Sequence, residues 1–261
     1  MWEEDTLPKW EERPYDVVFT GNYTPLSKFE PTIERHGKEY ADFYYGIIED
    51  FKKHPHLGMD VGIREHLLSE VEDITEDGVK EMMPNMIMID LYVRNYFRGK
   101  VVQTLVDAGV SVHCFGAGWE FLPCEHPENL IKEGGVDSLA CLQALSKAKV
   151  SLNVMPWFKK GAHDRVFNTM LNGGVALTDT SLFYENTFAD GENVLFYSLE
   201  DLRDYEKSGY DECIAARITD KVKCALADTK HLQEIADSGY ECCKGRHSWI
   251  ERAVVIEKYF G

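Results

Sequence analysis

Val150-Ser151-Leu152-Asn153-Val154, a lysine-bearing loop, Arg165-Val166-Phe167-Asn168-Thr169-Met170-Leu171 and Gly173-Gly174-Val175-Ala176-Leu177-Thr178 read as strand, loop, helix, strand. The two strand segments are short and rich in Val and Leu. They suit strands buried on both faces of a parallel sheet. Val166, Phe167, Met170 and Leu171 recur at helical spacing behind Asp164, a capping residue type. Gly173-Gly174 supplies residues that can take positive φ where the helix must stop.

The same unit repeats on either side. Val17-Val18-Phe19-Thr20-Gly21, Val110-Ser111-Val112-His113-Cys114-Phe115-Gly116 and Val194-Leu195-Phe196-Tyr197 are further short apolar runs. Leu139, Leu142 and Leu145 mark a helix behind Ser138, read as its N-cap. Strands alternating with helices predict an α/β, Rossmann-like doubly wound parallel sheet over residues 1–261 as a single domain. Two stretches depart from the alternation. From about 29 to 98, Phe43, Tyr44, Ile47, Ile48 and Phe51 fall at helical spacing, which predicts a helical insertion after the first strand. Breaks are expected near Pro55, Gly58, Gly78 and Pro84. From about 199 to 260 the chain reads as helical again.

Composition narrows the function. The 261 residues are 44% hydrophobic and 12% aromatic, enough for a sizeable core. Lys and Arg total 28 against 45 Asp and Glu, a net charge of −17, which disfavours nucleic acid as a partner over a broad face. No apolar run approaches the ~20 residues of a membrane span, and the acidic start Met1-Trp2-Glu3-Glu4-Asp5 does not read as a signal peptide. Seven scattered cysteines without a C-x-x-C point to a reducing, cytoplasmic setting. His54 and His56 flank Pro55 and no H-E-x-x-H occurs, so no metal centre is expected.

The chemistry concentrates between Ser138 and Thr178, where five cationic residues face one acid, Asp164, for a local charge of +4. Its centre reads Trp157-Phe158-Lys159-Lys160-Gly161-Ala162-His163-Asp164-Arg165, a passage from strand end to helix start. Ligands of open α/β sheets bind beyond the carboxyl ends of the strands, and a helix N-terminus there favours an anion. The bland alternative is an ordinary cap and solvated lysines. Arg165, Asn168 and Asn172 stand at i, i+3 and i+7, a polar stripe from which Arg165 could meet a phosphate and Asn168 a sugar hydroxyl. On that stripe, Arg165 should be replaceable without cost to the core. Gly116-Ala117-Gly118-Trp119 is half of a G-x-G-x-x-G fingerprint, with Phe121 in place of the third glycine. It is read as a tight turn, as is Gly21-Asn22. The incomplete fingerprint makes a nicotinamide-dependent oxidoreductase the weakest reading.

Several pieces occur in one order: Asp16-Val17-Val18-Phe19-Thr20-Gly21-Asn22, Phe115-Gly116-Ala117-Gly118-Trp119, Ser151-Leu152-Asn153-Val154, Arg165-Val166-Phe167-Asn168 and Gly173 through Asp179. Asp190-Gly191-Glu192-Asn193 and His247-Ser248-Trp249 with Arg252 follow. Together they resemble the C-terminal, donor-binding half of group 1 glycosyltransferases, in the branch of spore-maturation and spore-coat glycosyltransferase-like proteins. The resemblance implies half of a GT-B fold and a nucleotide-sugar donor, UDP- or GDP-linked, with no other cofactor. It implies that Arg165 and Lys160 stabilise the leaving diphosphate. Gly21, Asn22, Gly116, Gly118, Trp119, Lys159, His163 and Asn168 would contact the substrate. Asn168 stands where the family often carries a ribose-binding glutamate. The absence of D-x-D suits metal-independent transfer.

The first strand begins near Asp16, which leaves no room before it for an acceptor-side domain. That half, a glycan or protein acceptor and any acid–base residue are therefore expected from an N-terminal GT-B domain outside this chain or from another polypeptide. The rival reading is a non-catalytic binding module derived from such a half.

Overall fold

The computed structural model describes residues 10–157, 159–202 and 212–260; Phe158 and residues 203–211 of the expected helical tail lie outside them. In chain order the elements are β1 (Tyr15–Thr20), α1 (Glu30–Glu34), α2 (Lys38–Lys53), α3 (Met59–Glu70), α4 (Glu76–Met82) and α5 (Ile87–Asp107). Then come β2 (Val112–Phe115), β3 (Leu130–Gly134), α6 (Ser138–Ser146), β4 (Ala148–Asn153) and α7 (Asp164–Leu171). The chain closes with β5 (Val175–Asp179), α8 (Leu182–Thr187), β6 (Leu195–Tyr197), α9 (Glu212–Ala227), α10 (Thr229–Cys243) and α11 (Trp249–Phe260).

The strands form one sheet in the order β3-β2-β1-β4-β5-β6, every pair parallel. This is the expected Rossmann-like doubly wound α/β fold. The chain winds outward from β1 to β3, then returns to start again at β4. The order therefore reverses between β1 and β4, and a crevice opens beyond their carboxyl ends. Register sets Val17 beside both Val112 and Val150, and Val150 beside Val175, a continuous aliphatic row.

Both faces are covered, which is why the strands lack polar alternation. Val17, Phe19, Val150, Leu152 and Leu177 share one cluster with α2, α3, α5 and α9. On the other face Val18 packs with Ala144, Leu145 and Ala148 under α6, and Ala176 packs with Val166, Met170 and Tyr184 under α7 and α8.

Four details differ from the sequence reading. An extra edge strand, β3, pairs only with β2 and buries only Leu130 fully, so its residues show no apolar run. The helical insertion stops before α5, which spans 87–107 and is itself the crossover from β1 to β2. Gly78 lies inside α4 rather than breaking it, its N–H donating to the N-cap Thr75 Oγ1. The helix caps shift by one residue: Asp137 caps α6 in place of Ser138, and His163 caps α7 in place of Asp164.

The insertion bears on the site through α5. This helix is buried nearly all round, between the sheet and α2. At Gly99 it meets the loop after β1 so closely that a Cβ would lie 2.8 Å from the Tyr23 ring. No described helix is long and apolar enough to cross a membrane.

Candidate functional site

The loops that follow β1 and β2 are laced together. Gly21 N donates to Phe115 O at 2.8 Å and Tyr23 N to Ala117 O at 2.9 Å. Asn22 Oδ1 accepts from Ala117 N at 2.9 Å, and Trp119 Nε1 donates to Gly21 O at 2.9 Å. The approach is close enough to require glycine. A Cβ on Gly116 would stand 2.2 Å from Gly21 O, and one on Gly118, at φ +91°, only 1.9 Å from Tyr23 O. The G-A-G-W stretch is thus a turn that locks two strand ends.

The opposite wall is the start of α7. His163 Nδ1 accepts from Arg165 N at 3.1 Å and also lies 2.8 Å from Asp164 Oδ1. One ring nitrogen serves only one of these at a time, accepting when bare and donating to the carboxylate when protonated. The His163 contact is the main influence holding the Asp164 carboxyl below its ordinary value. The loop before α7 is pinned from α8. Tyr184 Oη accepts from His163 N at 2.7 Å, and Ser181 Oγ donates to Gly161 O at 2.6 Å.

Arg165 spans the crevice. Its Nε donates to Thr20 O and Oγ1, both at 3.1 Å, its Nη2 to Thr20 O at 2.6 Å and its Nη1 to Asn153 Oδ1 at 2.6 Å. The guanidinium carbon lies 5.0 Å from the centre of the Phe19 ring. Burial pulls its pKa below the ordinary arginine value. One N–H on each terminal nitrogen is left over from these bonds. Asn153 in turn donates through Nδ2 to Thr178 Oγ1 at 2.9 Å and accepts at its carbonyl from Tyr197 Oη at 2.7 Å. The ends of β1, β4, β5 and β6 are thereby joined in one polar network.

Between the walls lies a cleft of about 430 Å³, within the usual range for small-molecule sites. Thr20, Gly21, Asn22, Gly116, His163, Asp164, Arg165 and Asn168 line one part of it, and Gly135, Val136, Ser138, Cys141, Leu142 and Leu145 another, with Trp249 among the lining residues. Of the residues expected at a site, Gly21, Asn22, Gly116, His163, Arg165 and Asn168 therefore converge.

Four do not line it. Gly118 sits under Tyr23, and Trp119 is 1% exposed, packed between Phe19 and Tyr23. Lys159 is held by Asp179 at 3.2 Å, where burial raises the Asp179 pKa while the lysine opposes that rise. Lys160 is exposed in the turn beyond. The polar stripe is also shorter than read: Asn172 is buried and closes the end of α7 through Nδ2 to Asn168 O at 2.7 Å. Thr20, Asn153 and Asp179 went unremarked in the sequence as site residues, although each is a polar residue ending a buried strand.

A doubly wound domain with a cationic crevice at its switch point is the class defined here. The chain belongs to the glycosyl transferase-like family, whose family model matches residues 98–258. No curated protein matches it. Among solved structures it is similar to sucrose-phosphate synthase from Thermosynechococcus elongatus, with 16% identity over 62% of this chain and a TM-score of 0.46. It spans 42% of that enzyme's length. It is also similar to the C-terminal domain of a group 1 family glycosyl transferase from Francisella tularensis, with 12% identity, TM-score 0.40, and 94% and 95% of the two chains covered. A third is Anabaena HepE in complex with UDP-glucose, with 8% identity, TM-score 0.45, and 94% and 100% covered.

Proposed function

We propose that the crevice between β1 and β4 holds the nucleoside diphosphate of a nucleotide-sugar donor, UDP- or GDP-linked, for transfer of its sugar to an acceptor. The observation that carries this reading is Arg165, a guanidinium bonded, among the described residues, only to neutral partners in a cleft at the fold's switch point. In glycosyl transfer the bond from the anomeric carbon to the diphosphate oxygen breaks, and a bond to the acceptor oxygen forms as that oxygen loses its proton. Negative charge grows on the diphosphate, where a fixed cation stabilises it most. Arg165 fills that role and Asn168 meets the ribose. Gly21, Asn22 and Gly116 form the wall, and His163 orders the helix start. Lys160 would contribute only through a shift of its turn, and Lys159 only by exchanging Asp179 for the ligand.

Titration with UDP, GDP, ADP and NAD tests this. Saturable binding of a nucleoside diphosphate is expected, and binding of NAD alone would overturn it. The rival, a non-catalytic interaction module, is favoured by α11, which exposes Trp249, Ile250, Val254, Val255, Ile256, Tyr259 and Phe260. Silence across the nucleotide panel would favour that rival.

A further inference from the structure

Buried charges in proteins are normally paired, because removing an ion from water costs several kcal/mol unless an opposite charge or a full set of hydrogen bonds offsets it. Arg98, on α5, is half-buried and has no such counter-charge bonded to it among the described residues. Its guanidinium carbon lies 5.5 Å from the centre of the Phe19 ring, and Nη1 donates to the carbonyl of Asn22. Its Nε is buried with no hydrogen-bond partner among the described residues. The nearby acid, Asp90, is bonded to Arg94 at 2.5 Å.

Arg165 approaches the same ring from α7, with its guanidinium carbon 5.0 Å from the ring centre. Its Nη2 would lie 3.4 Å from a Cβ on Gly21. Two guanidiniums from two helices thus close on the Gly21–Asn22 turn, neither bonded to a carboxylate among the described residues. Burial first, then the neighbouring Arg165 and Arg94, pull the Arg98 pKa down to about 10, with Asp90 opposing them. Arg13, more deeply buried, shares the unpartnered Nε but has both terminal nitrogens taken by carbonyls, Ala148 O at 2.7 Å and Asn172 O at 3.0 Å.

We infer that Arg98 and Arg165 together form a diphosphate seat at the Gly21–Asn22 turn, with Arg98 the second cation of the site. The inference rests on the donor reading above but reaches further. The helix leaving the insertion would supply a ligand contact, in the part expected of Lys159 and Lys160. It also gives the insertion a purpose, since α5 is held against α2 and the sheet, and its packing fixes where Arg98 stands.

The test is calorimetry on the full chain with inorganic pyrophosphate, UDP and uridine, for the unaltered protein, Arg98→Gln and Arg98→Lys. Pyrophosphate and UDP should bind the unaltered protein, each about tenfold or more weaker in Arg98→Gln, with partial recovery in Arg98→Lys. Uridine affinity should not change. A second measurement needs no variant: the Arg98 ¹⁵Nε–¹Hε resonance should move when pyrophosphate is added. UDP binding of equal strength in Arg98→Gln, with that resonance unmoved, overturns the inference and leaves the donor reading standing. Pyrophosphate binding that depends on Arg98, without any nucleotide preference, supports the seat and overturns the donor reading. Binding of neither ligand by the unaltered protein overturns both.

Discussion

Arg165 Nη1 lies 2.6 Å from Asn153 Oδ1, tying the first turn of α7 to the carboxyl end of β4. The same side chain grips the end of β1 through Thr20. It is a brace as well as a ligand candidate, because β1 and β4 are the strands between which the sheet order reverses.

The first prediction therefore concerns both stability and binding. Arg165→Ala should destabilise the protein by roughly 2–4 kcal/mol, since it strands the Thr20 carbonyl and the Asn153 amide in a buried setting. For a chain of this size that lowers the melting temperature by about 5–15 °C. Nucleoside diphosphate affinity should fall roughly tenfold to a hundredfold. Arg165→Lys keeps the charge without the planar fork and should recover each only in part. Denaturant melts alongside calorimetry check this, and an unchanged melting point in Arg165→Ala would contradict the brace.

Gly118→Ala is the sharpest purely structural test. The residue sits at φ +91°, and its new Cβ would meet the Tyr23 carbonyl oxygen at 1.9 Å, a backbone atom that cannot swing aside. A loss of roughly 3 kcal/mol or more is expected. Gly191→Ala, with nothing within 4 Å of the added carbon and φ +77°, should cost only the backbone strain. Equal melting temperatures for the two variants would refute the close approach of the loops.

These residues also show what could be read from the sequence. The strands at 15–20, 112–115, 148–153, 175–179 and 195–197 were legible because burial on both faces leaves an unbroken apolar run. β3 was not, because an edge strand with one buried side chain carries no such run. The convergence of Gly21, Gly116 and Arg165 followed from the rule that strand ends gather at one edge. The bonds of Arg165 did not, since Thr20 lies 145 residues away in the chain. Lys159 and Lys160 looked equivalent to Arg165 by charge alone, but the buried Asp179 holds Lys159 and Lys160 is exposed in the turn beyond. Arg98 gave no signal as a site residue, because Asp90, Arg94 and Arg98 recur every four residues along α5 like an ordinary charged helix face, and the turn after β1 that it reaches lies 76 residues away in the chain.

A pH effect should arise from His247. Its ring lies 4.8 Å from that of Phe167, nearly parallel, and its Nδ1 is 2.6 Å from Arg252 Nη2. Burial first, then Arg252 and Arg246, lower its pKa from the ordinary 6.5. The unfolded chain then takes up the proton before the folded one does. The stability contributed by His247 is complete above pH 6.5 and is lost as pH falls through the lower folded value. Melting curves taken from about pH 7.5 down to 5.5 should fall less steeply in His247→Phe, which keeps the ring contact without the titration. Parallel curves for the two proteins would rule the effect out.

Chelation should leave nucleoside diphosphate binding intact. The charge of the ligand is to be met by the guanidiniums of Arg165 and Arg98, which need no ion to bridge them. Calorimetry in EDTA and in Mg²⁺ or Mn²⁺ should give affinities within about threefold of each other. Binding lost on chelation and restored by the cation would assign the diphosphate charge elsewhere.

Asn168 separates the ribose from the phosphates. It lies one turn beyond Asp164 on α7, its Nδ2 is 3.3 Å from Asp164 Oδ2, and it lines the cleft with Arg165. That contact is long for a hydrogen bond, so the amide is lightly held and free to turn toward a hydroxyl. An amide both donates and accepts, whereas the glutamate common at this position in the family would only accept, but with a full charge. Asn168→Ala should therefore weaken UDP by roughly 1 kcal/mol, about fivefold, and leave inorganic pyrophosphate unaffected. Asn168→Glu should bind uridine more tightly, because the bond to a ribose hydroxyl becomes charge-assisted. The 2′,3′-dideoxy analogue of UDP makes the control: it lacks the hydroxyls, so the three proteins should lose their differences in ribose contact when tested with it. If Asn168→Ala weakened pyrophosphate as much as UDP, Asn168 would belong to the phosphate seat, and the ribose would have to lie along another part of the cleft.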